Sequence, residues 1–373
     1  MNVKIGAVGL AEAGNLGDDL IMLSVLDSLG RSGVRDVAYL SHDCPLDLDE
    51  MRARFTLPER IERRHPGKDL PLTNREATLF ADRDGIVFGG GGLLQDVHHP
   101  HRPYQWLRYV PSGKPTIAVG LGLGPLSKAW RRALATMPRT IGEVFVRDDE
   151  SQALGREMGW ECHRSKDCVS PRVLDALVGP PTSLERVLGV AVRSWPGLDS
   201  EALARHIDAV AARVKCERVE AFVLEAKNGQ GVDCAFTADV LRQVRTPHGV
   251  KVYDPREIPA FMQAMAQCTA AVSMKLHSSV IWDHLGVDIF PIHYAPKTAA
   301  LFGHPYRGLE ILDTAASVHH PQDDAPSTDA VIQAWVDELQ GRPRGQGYPP
   351  RQRRLDQLRA FGETLRRRIK RGR

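Results

Sequence analysis

The sequence predicts an α/β protein made of two doubly wound, Rossmann-like domains that face a cleft, followed by a basic helical tail. Three observations carry this expectation. Apolar runs of strand length alternate with longer amphipathic stretches, the pattern of parallel sheets covered by helices on both faces. The alternation forms two successive series, separated by the tetrad Gly-Pro-Pro-Thr at 179–182. The length, 373 residues, exceeds what a single core ordinarily supports.

Taken in order, the first series of strands is VKIGAVGL (3–10), DVAYLS (36–41), GIVFGG (85–90), TIAVGLG (116–122) and EVFVRD (143–148). The second is VLGVAVR (187–193), RVEAFVLE (218–225), VKVYD (250–254), AAVSM (270–274) and VDIFPI (287–292). Helical stretches lie between them: DDLIMLSVLDSLG, SLERVL with its neighbours, EALARHIDAVAARVK and REIPAFMQAMAQ. Strand–crossover–strand units are right-handed, so each series winds into one sheet. The expected domains are 1–178 and 183–325, with 326–373 as the tail. The tail holds the helix DAVIQAWVDELQ, a Gly/Pro linker, and a last helix striped by Leu355, Leu358, Phe361 and Leu365 at helical spacing.

Composition narrows the functional class. With 42% hydrophobic and 25% charged residues the chain is neither disordered nor a multi-span membrane protein. No apolar run approaches the roughly 18–20 residues a bilayer requires, and the start MNVKIGAVGL lacks the plan of a signal peptide. The expectation is a cytoplasmic protein. Six cysteines without a CxxC pair argue against a disulfide scaffold, and Cys162, His163 and Cys168 lack the other half of a zinc site. No metal is expected. The net charge of +3 conceals an asymmetry: residues 341–373 carry twelve Lys/Arg against two acids, leaving the rest of the chain at −7. Such a tail suits a solvated or packed helix, an anionic membrane surface, or nucleic acid, in that order of preference.

Six segments could carry chemistry. Gly14-Asn15-Leu16-Gly17-Asp18-Asp19 follows the first strand and opens a helix, where backbone N–H groups and the helix dipole suit an anion. Asn15 and Asp18 are candidate substrate contacts there, and Asp18 or Asp19 could instead be the helix N-cap. Gly89-Gly90-Gly91-Gly92 ends the strand IVF, and such a run allows close approach of a ligand, with Gly90, Gly91 and Gly92 as candidates. Gly120-Leu121-Gly122-Leu123-Gly124-Pro125 is a second glycine turn at a strand end. Arg147 closes an otherwise apolar strand and suits forked recognition of carboxylate or phosphate, and Arg193 stands in the analogous place in the second series. Ser273-Met274-Lys275-Leu276-His277-Ser278 joins a buried strand to a helix start, placing His277 beside Lys275 and Ser273. Finally, Lys297 falls in the first turn of a helix that begins near Pro296, where the dipole disfavours a cation unless an anion offsets it.

In order and spacing these segments resemble the polysaccharide pyruvyl transferase family over roughly 300 residues. The matching pieces are GNLGD at 14–18, GGGGLLQD, GLGLGP, VRDDES at 146–151, Asp167, VAVRSW at 190–195, SMKLHS at 273–278 and YAPKTAALF at 294–302. The resemblance implies two Rossmann-like domains of GT-B type. It also implies transfer of the enolpyruvyl unit of phosphoenolpyruvate onto a sugar, forming a ketal and releasing phosphate. The family's phosphoenolpyruvate-binding residues fall on Arg147, His277 and Lys297. Lys275 stands where the family usually has Arg, keeping the charge but not the planar fork. His277 then serves as general acid or as a phosphate ligand, and Asp18 or Asp19 orients the acceptor hydroxyl. Apart from the phosphoenolpyruvate donor no cofactor is implied. The implied acceptor is a sugar of a cell-surface (cell wall) polysaccharide or its lipid-linked precursor. With it come peripheral contact at the inner face of the membrane through the tail, no nucleic acid, and a homo-oligomer left open. Two alternatives stay open: a GT-B glycosyltransferase using a nucleotide sugar, and a non-enzymatic binder of anionic polymers acting through its tail.

Overall fold

A computed structural model describes residues 3–65, 79–96, 106–107, 109, 113–136, 141–180, 185–226, 232–319 and 325–341. The first sheet has eight strands: β1 (Lys4–Val8), β2 (Asp36–Leu40), β3 (Arg60–Arg64), β4 (Gly85–Phe88), β5 (Gly91–Leu94), β6 (Thr116–Leu123), β7 (Glu143–Val146) and β8 (Cys162–Arg164). Their order is β3-β2-β1-β4-β6-β7-β8, with β5 also on β6, and every pairing is parallel. β1, β2, β4, β6 and β7 are the strands expected from apolar runs. β3, RIERR, has no such run. It is an edge strand whose charges are satisfied laterally, Arg63 by Glu12 at 2.8 Å and Arg64 by Asp82 at 2.7 Å.

The second sheet repeats the winding. It holds β9 (Val187–Ala191), β10 (Arg218–Val223), β11 (His248–Val252), β12 (Cys268–Ser273), β13 (Asp288–His293) and the short antiparallel β14 (Glu310–Ile311), in the order β11-β10-β9-β12-β13-β14. SLERVL, read as helical, is corrected in part: Ser183 and Leu184 lie outside the described residues, and Val187 and Leu188 open β9 against Arg218 and Val219. Sheet pairing and full burial override the local pattern there.

Among the described residues there are eleven helices: α1 (Leu16–Arg31), α2 (Leu48–Arg52), α3 (Lys128–Thr136), α4 (Asp149–Glu157), α5 (Pro171–Leu177), α6 (Ser200–Val214), α7 (Val232–Leu241), α8 (Ile258–Ala266), α9 (Leu276–His284), α10 (Pro296–Leu301) and α11 (Thr328–Gly341). None is long and apolar enough to cross a membrane. α5 lies between α1 on one side and α8 and α9 on the other, so one apolar cluster runs from Ile5 and Leu20 through Leu174 to Trp282 and Ile289.

α11, the described part of the segment read as a tail, returns to the first sheet and packs on α1 and β6. Its Trp335 and Leu339 press on β4 where a Cβ on Gly85 would stand 2.8 and 2.9 Å from them. Arg31 pairs with its Asp329 at 2.9 Å. Leu339→Ala is therefore expected to cost about 2–3 kcal/mol in urea unfolding, and a cost near zero would show that this helix does not share the core. The strongly basic residues 342–373 lie outside the described residues.

Each sheet reverses its strand order once, between β1 and β4 and between β9 and β12. Doubly wound sheets hold ligands at such points, outside the carboxyl ends of the strands.

Candidate active site

The turn after β1 sets the cleft. Asn15, not Asp18 or Asp19, caps α1: its Oδ1 accepts the Gly17 N–H at 3.0 Å. The acids fall in the first turn instead, where they suit the helix dipole. The turn is stitched to the second domain. Leu16 N–H donates to Leu224 O at 3.0 Å, and Ala226 N–H donates to Gly14 O at 2.9 Å. Asn15 and Glu225 form an isolated bridge.

Asp19 is fully buried. It accepts the Tyr253 O–H at 2.7 Å from the second domain and the Glu12 N–H at 2.6 Å. Burial pushes its carboxyl up to about 8, against the pull of these two donors. Asp19 is thus a cross-domain pin. Asp18 is half-buried and its carboxylate lies beside Gly91.

His277 stands in the first turn of α9 with its imidazole laid on Gly17, where any Cβ would overlap Nδ1. Glycine is needed at 17 for this approach. The Nε2 is buried and has no hydrogen-bond partner among the described residues. Burial, opposed by Asp167 but reinforced by Arg147, Lys297 and Lys275, pushes the imidazole down to about 4.

Arg147 leaves the end of β7 and crosses Gly122, where a Cβ would stand 2.8 Å from its Nη2. Its Nη1 donates to Asp167 at 3.1 Å, and its Nε lies 3.5 Å from Asp148, which also caps α4. Burial alone would lower its pKa, but Asp167 and Asp148 outweigh it and keep the guanidinium charged. Lys297, in the first turn of α10, lies 6.0 Å from the Tyr294 ring and has no carboxylate partner among the described residues. The N-cap of α10 is Ala295, with Pro296 as its first helical residue. Arg147, Asp167 and Lys297 line one cavity of about 820 Å³ between the domains, walled by Leu174, Leu276, Val280 and Leu301.

A second group lies at the switch point of the second sheet. Arg193 follows β9, with its Nε 4.0 Å from Asp233 and its guanidinium 6.0 Å from the Tyr294 ring. Lys275 reaches Glu225 at 3.1 Å and also pairs with Asp233. Arg193 and Lys275 do not line the cavity of Arg147 and Lys297.

The remaining candidates are explained by packing. Ser273 is buried, its Oγ 2.8 Å from Ser278 Oγ and 2.7 Å from Ser279 Oγ, which ties β12 to α9. A Cβ on Gly90 would collide with Cys168, and Gly91 has φ +83° and opens β5. Gly92 faces Gln95. None of Gly90, Gly91 and Gly92 lines the cavity. Sequence reasoning did not single out Glu225 or Asp233, and it carried Tyr294 only as part of the segment YAPKTAALF. The available signal was an acid at the C-terminal end of a strand, Glu225 after β10, and an acid opening a helix, Asp233.

Residues 15–287 match the family model for polysaccharide pyruvyl transferase. No curated protein sequence matches the chain significantly. Several solved structures share the fold. UDP-GlcNAc 2-epimerase from Neisseria meningitidis bound to UDP-GlcNAc is 12% identical with TM-score 0.52, over 91% of this chain and 92% of that one. S. aureus MnaA with UDP is 9% identical with TM-score 0.55, over 82% and 84%. Anabaena HepE with UDP-glucose is 13% identical with TM-score 0.52, over 91% of each chain. At these identities the likeness is one of fold, GT-B-like.

Proposed function

This chain belongs to the polysaccharide pyruvyl transferase family, and from that premise we propose that it moves the enolpyruvyl group of phosphoenolpyruvate onto a sugar of a cell-surface polysaccharide or its lipid-linked precursor, forming a pyruvate ketal and releasing phosphate. The observation that carries the reading is that Arg147 and Lys297 line one inter-domain cavity, with His277 outside its lining but near enough to feel the charge of both. Phosphoenolpyruvate presents a carboxylate and a phosphate, so its pocket needs more than one cation. Arg147 supplies a fork held rigid by Asp167 and Asp148, and Lys297 supplies an ammonium that no carboxylate among the described residues neutralises.

Burial, reinforced by Arg147, Lys297 and Lys275 and opposed by Asp167, keeps His277 neutral at pH 7. A doubly anionic donor reverses that balance and lets the imidazole take a proton. The charged ring then protonates the methylene carbon, a sugar hydroxyl attacks the adjacent carbon and returns its proton to the imidazole, and a second hydroxyl displaces phosphate to close the ketal, its proton leaving with the phosphate. Lys275 is held by Glu225 and Asp233, which suits it to shaping the site rather than gripping the donor. An anionic bilayer carrying a lipid-linked acceptor would attract residues 342–373.

Incubation with phosphoenolpyruvate and candidate sugars, following phosphate and product mass, tests the reading. Thermal shift separates it from a nucleotide-sugar reading drawn from fold neighbours that hold UDP-GlcNAc or UDP-glucose. Phosphoenolpyruvate at 100 times Kd adds about 2.7 kcal/mol to stability, whereas stabilisation by UDP-sugars alone would overturn the proposal. Arg147→Ala is expected to raise the KM for phosphoenolpyruvate by about tenfold or more, the scale of one charge-assisted contact. An unchanged KM and kcat would remove Arg147 from the donor site.

A further inference from the structure

Resting on that reading, we infer that the acceptor saccharide sits at the switch point of the second sheet, on Trp195 as a stacking face, among Arg193, Glu225, Asp233, Lys275 and Tyr294. Four strand ends and a helix start deliver these side chains. Arg193 and Trp195 follow β9, Glu225 follows β10, Asp233 opens α7, Lys275 follows β12 and Tyr294 follows β13. The strand order reverses between β9 and β12, where a doubly wound sheet opens its crevice.

The chemistry of the group is that of a neutral polyol site. Two cations, Arg193 and Lys275, stand against two carboxylates, Glu225 and Asp233, so the array has no net charge to draw a dianion. It offers donors and acceptors side by side, which matches hydroxyls that do both. The side chain of Arg193 is 30% exposed and that of Glu225 47%, so a ligand can reach the array. Trp195 is half-buried and held edge-on by Tyr294, ring centroids 4.7 Å apart at 69°. Its remaining surface suits the apolar C–H face of a pyranose.

Placement agrees with the chemistry. The Tyr294 ring centroid is 6.0 Å from the Arg193 guanidinium and 6.0 Å from the Lys297 ammonium, so the array borders the donor cations without sharing their cavity. His277, two residues beyond Lys275, feels both groups.

Saturation-transfer NMR with galactose, N-acetylglucosamine and N-acetylmannosamine as probes, in the presence of phosphoenolpyruvate, tests the assignment. Wild type is expected to transfer saturation to the ring C–H protons of at least one sugar. Trp195→Ala should weaken that binding about tenfold and Trp195→Phe should restore most of it, while both variants keep the wild-type thermal shift with phosphoenolpyruvate. Equal sugar binding in Trp195→Ala, loss of the phosphoenolpyruvate shift together with sugar binding, or no sugar signal in wild type would each overturn the subsite. Sugar binding lost in Trp195→Ala when wild type shows no phosphoenolpyruvate shift would leave the subsite standing and overturn the donor instead.

Discussion

His277→Ala is expected to lower turnover by roughly 10²-fold or more, the scale of a lost general acid, while the thermal midpoint moves by only a few degrees. The imidazole has a buried Nε2 with no partner among the described residues, so its removal orphans no hydrogen-bond partner of that nitrogen there. Gly17→Ala should reproduce the loss without touching the histidine. A methyl group at 17 overlaps the imidazole, and the neighbouring chain has little room to yield because Leu16 and Gly14 are bonded to Leu224 and Ala226. His277→Gln separates two roles. Glutamine can hydrogen-bond a phosphate oxygen but cannot deliver a proton at pH 7, so activity near wild type would make His277 a phosphate ligand, and loss equal to alanine supports the acid. Near-normal phosphate release by His277→Ala would remove the residue from the mechanism.

The distribution of what the sequence revealed follows from the range of the forces involved. Strands buried on both faces announce themselves, and β1, β4, β6 and β9 are read directly from apolar runs. β3 does not, because an edge strand lined by arginines has its partners, Glu12 and Asp82, elsewhere in the chain. Arg147, His277 and Lys297 are legible because each ends a strand or opens a helix at the cleft edge of its own unit. The glycine run shows the reverse. Four glycines suggest a ligand, yet at Gly90 the space is taken by Cys168 and the carbonyls of Val119 and Gly120. Likewise, nothing near Asp19 in sequence foretells Tyr253, since their contact exists only when two domains dock.

That contact makes stability depend on pH, and the expected result is a fall in the urea midpoint between pH 6.5 and 8 that Asp19→Asn abolishes. The carboxyl ordinarily titrates at 3.8 and in the folded chain at about 8. Below pH 4 both states hold the proton and its contribution is complete. Between those values the unfolded chain ionises and the folded one does not, so each pH unit removes up to about 1.4 kcal/mol. Above about 8 the loss levels off. His277 acts oppositely, because a buried neutral imidazole held near 4 makes stability rise with pH until about 6.5, where the unfolded histidine is already neutral. His206 and His293, also lowered by burial, have the same sign, so the window above 6.5 isolates Asp19. Asparagine keeps an acceptor for the Glu12 N–H and a neutral amide for Tyr253, and it cannot ionise. An equal slope in Asp19→Asn would assign the dependence to another group. Because this pin joins α1 to the second domain, its ionisation also loosens the seat of His277 on Gly17. Wild-type turnover should therefore decline above pH 8, and that of Asp19→Asn should not.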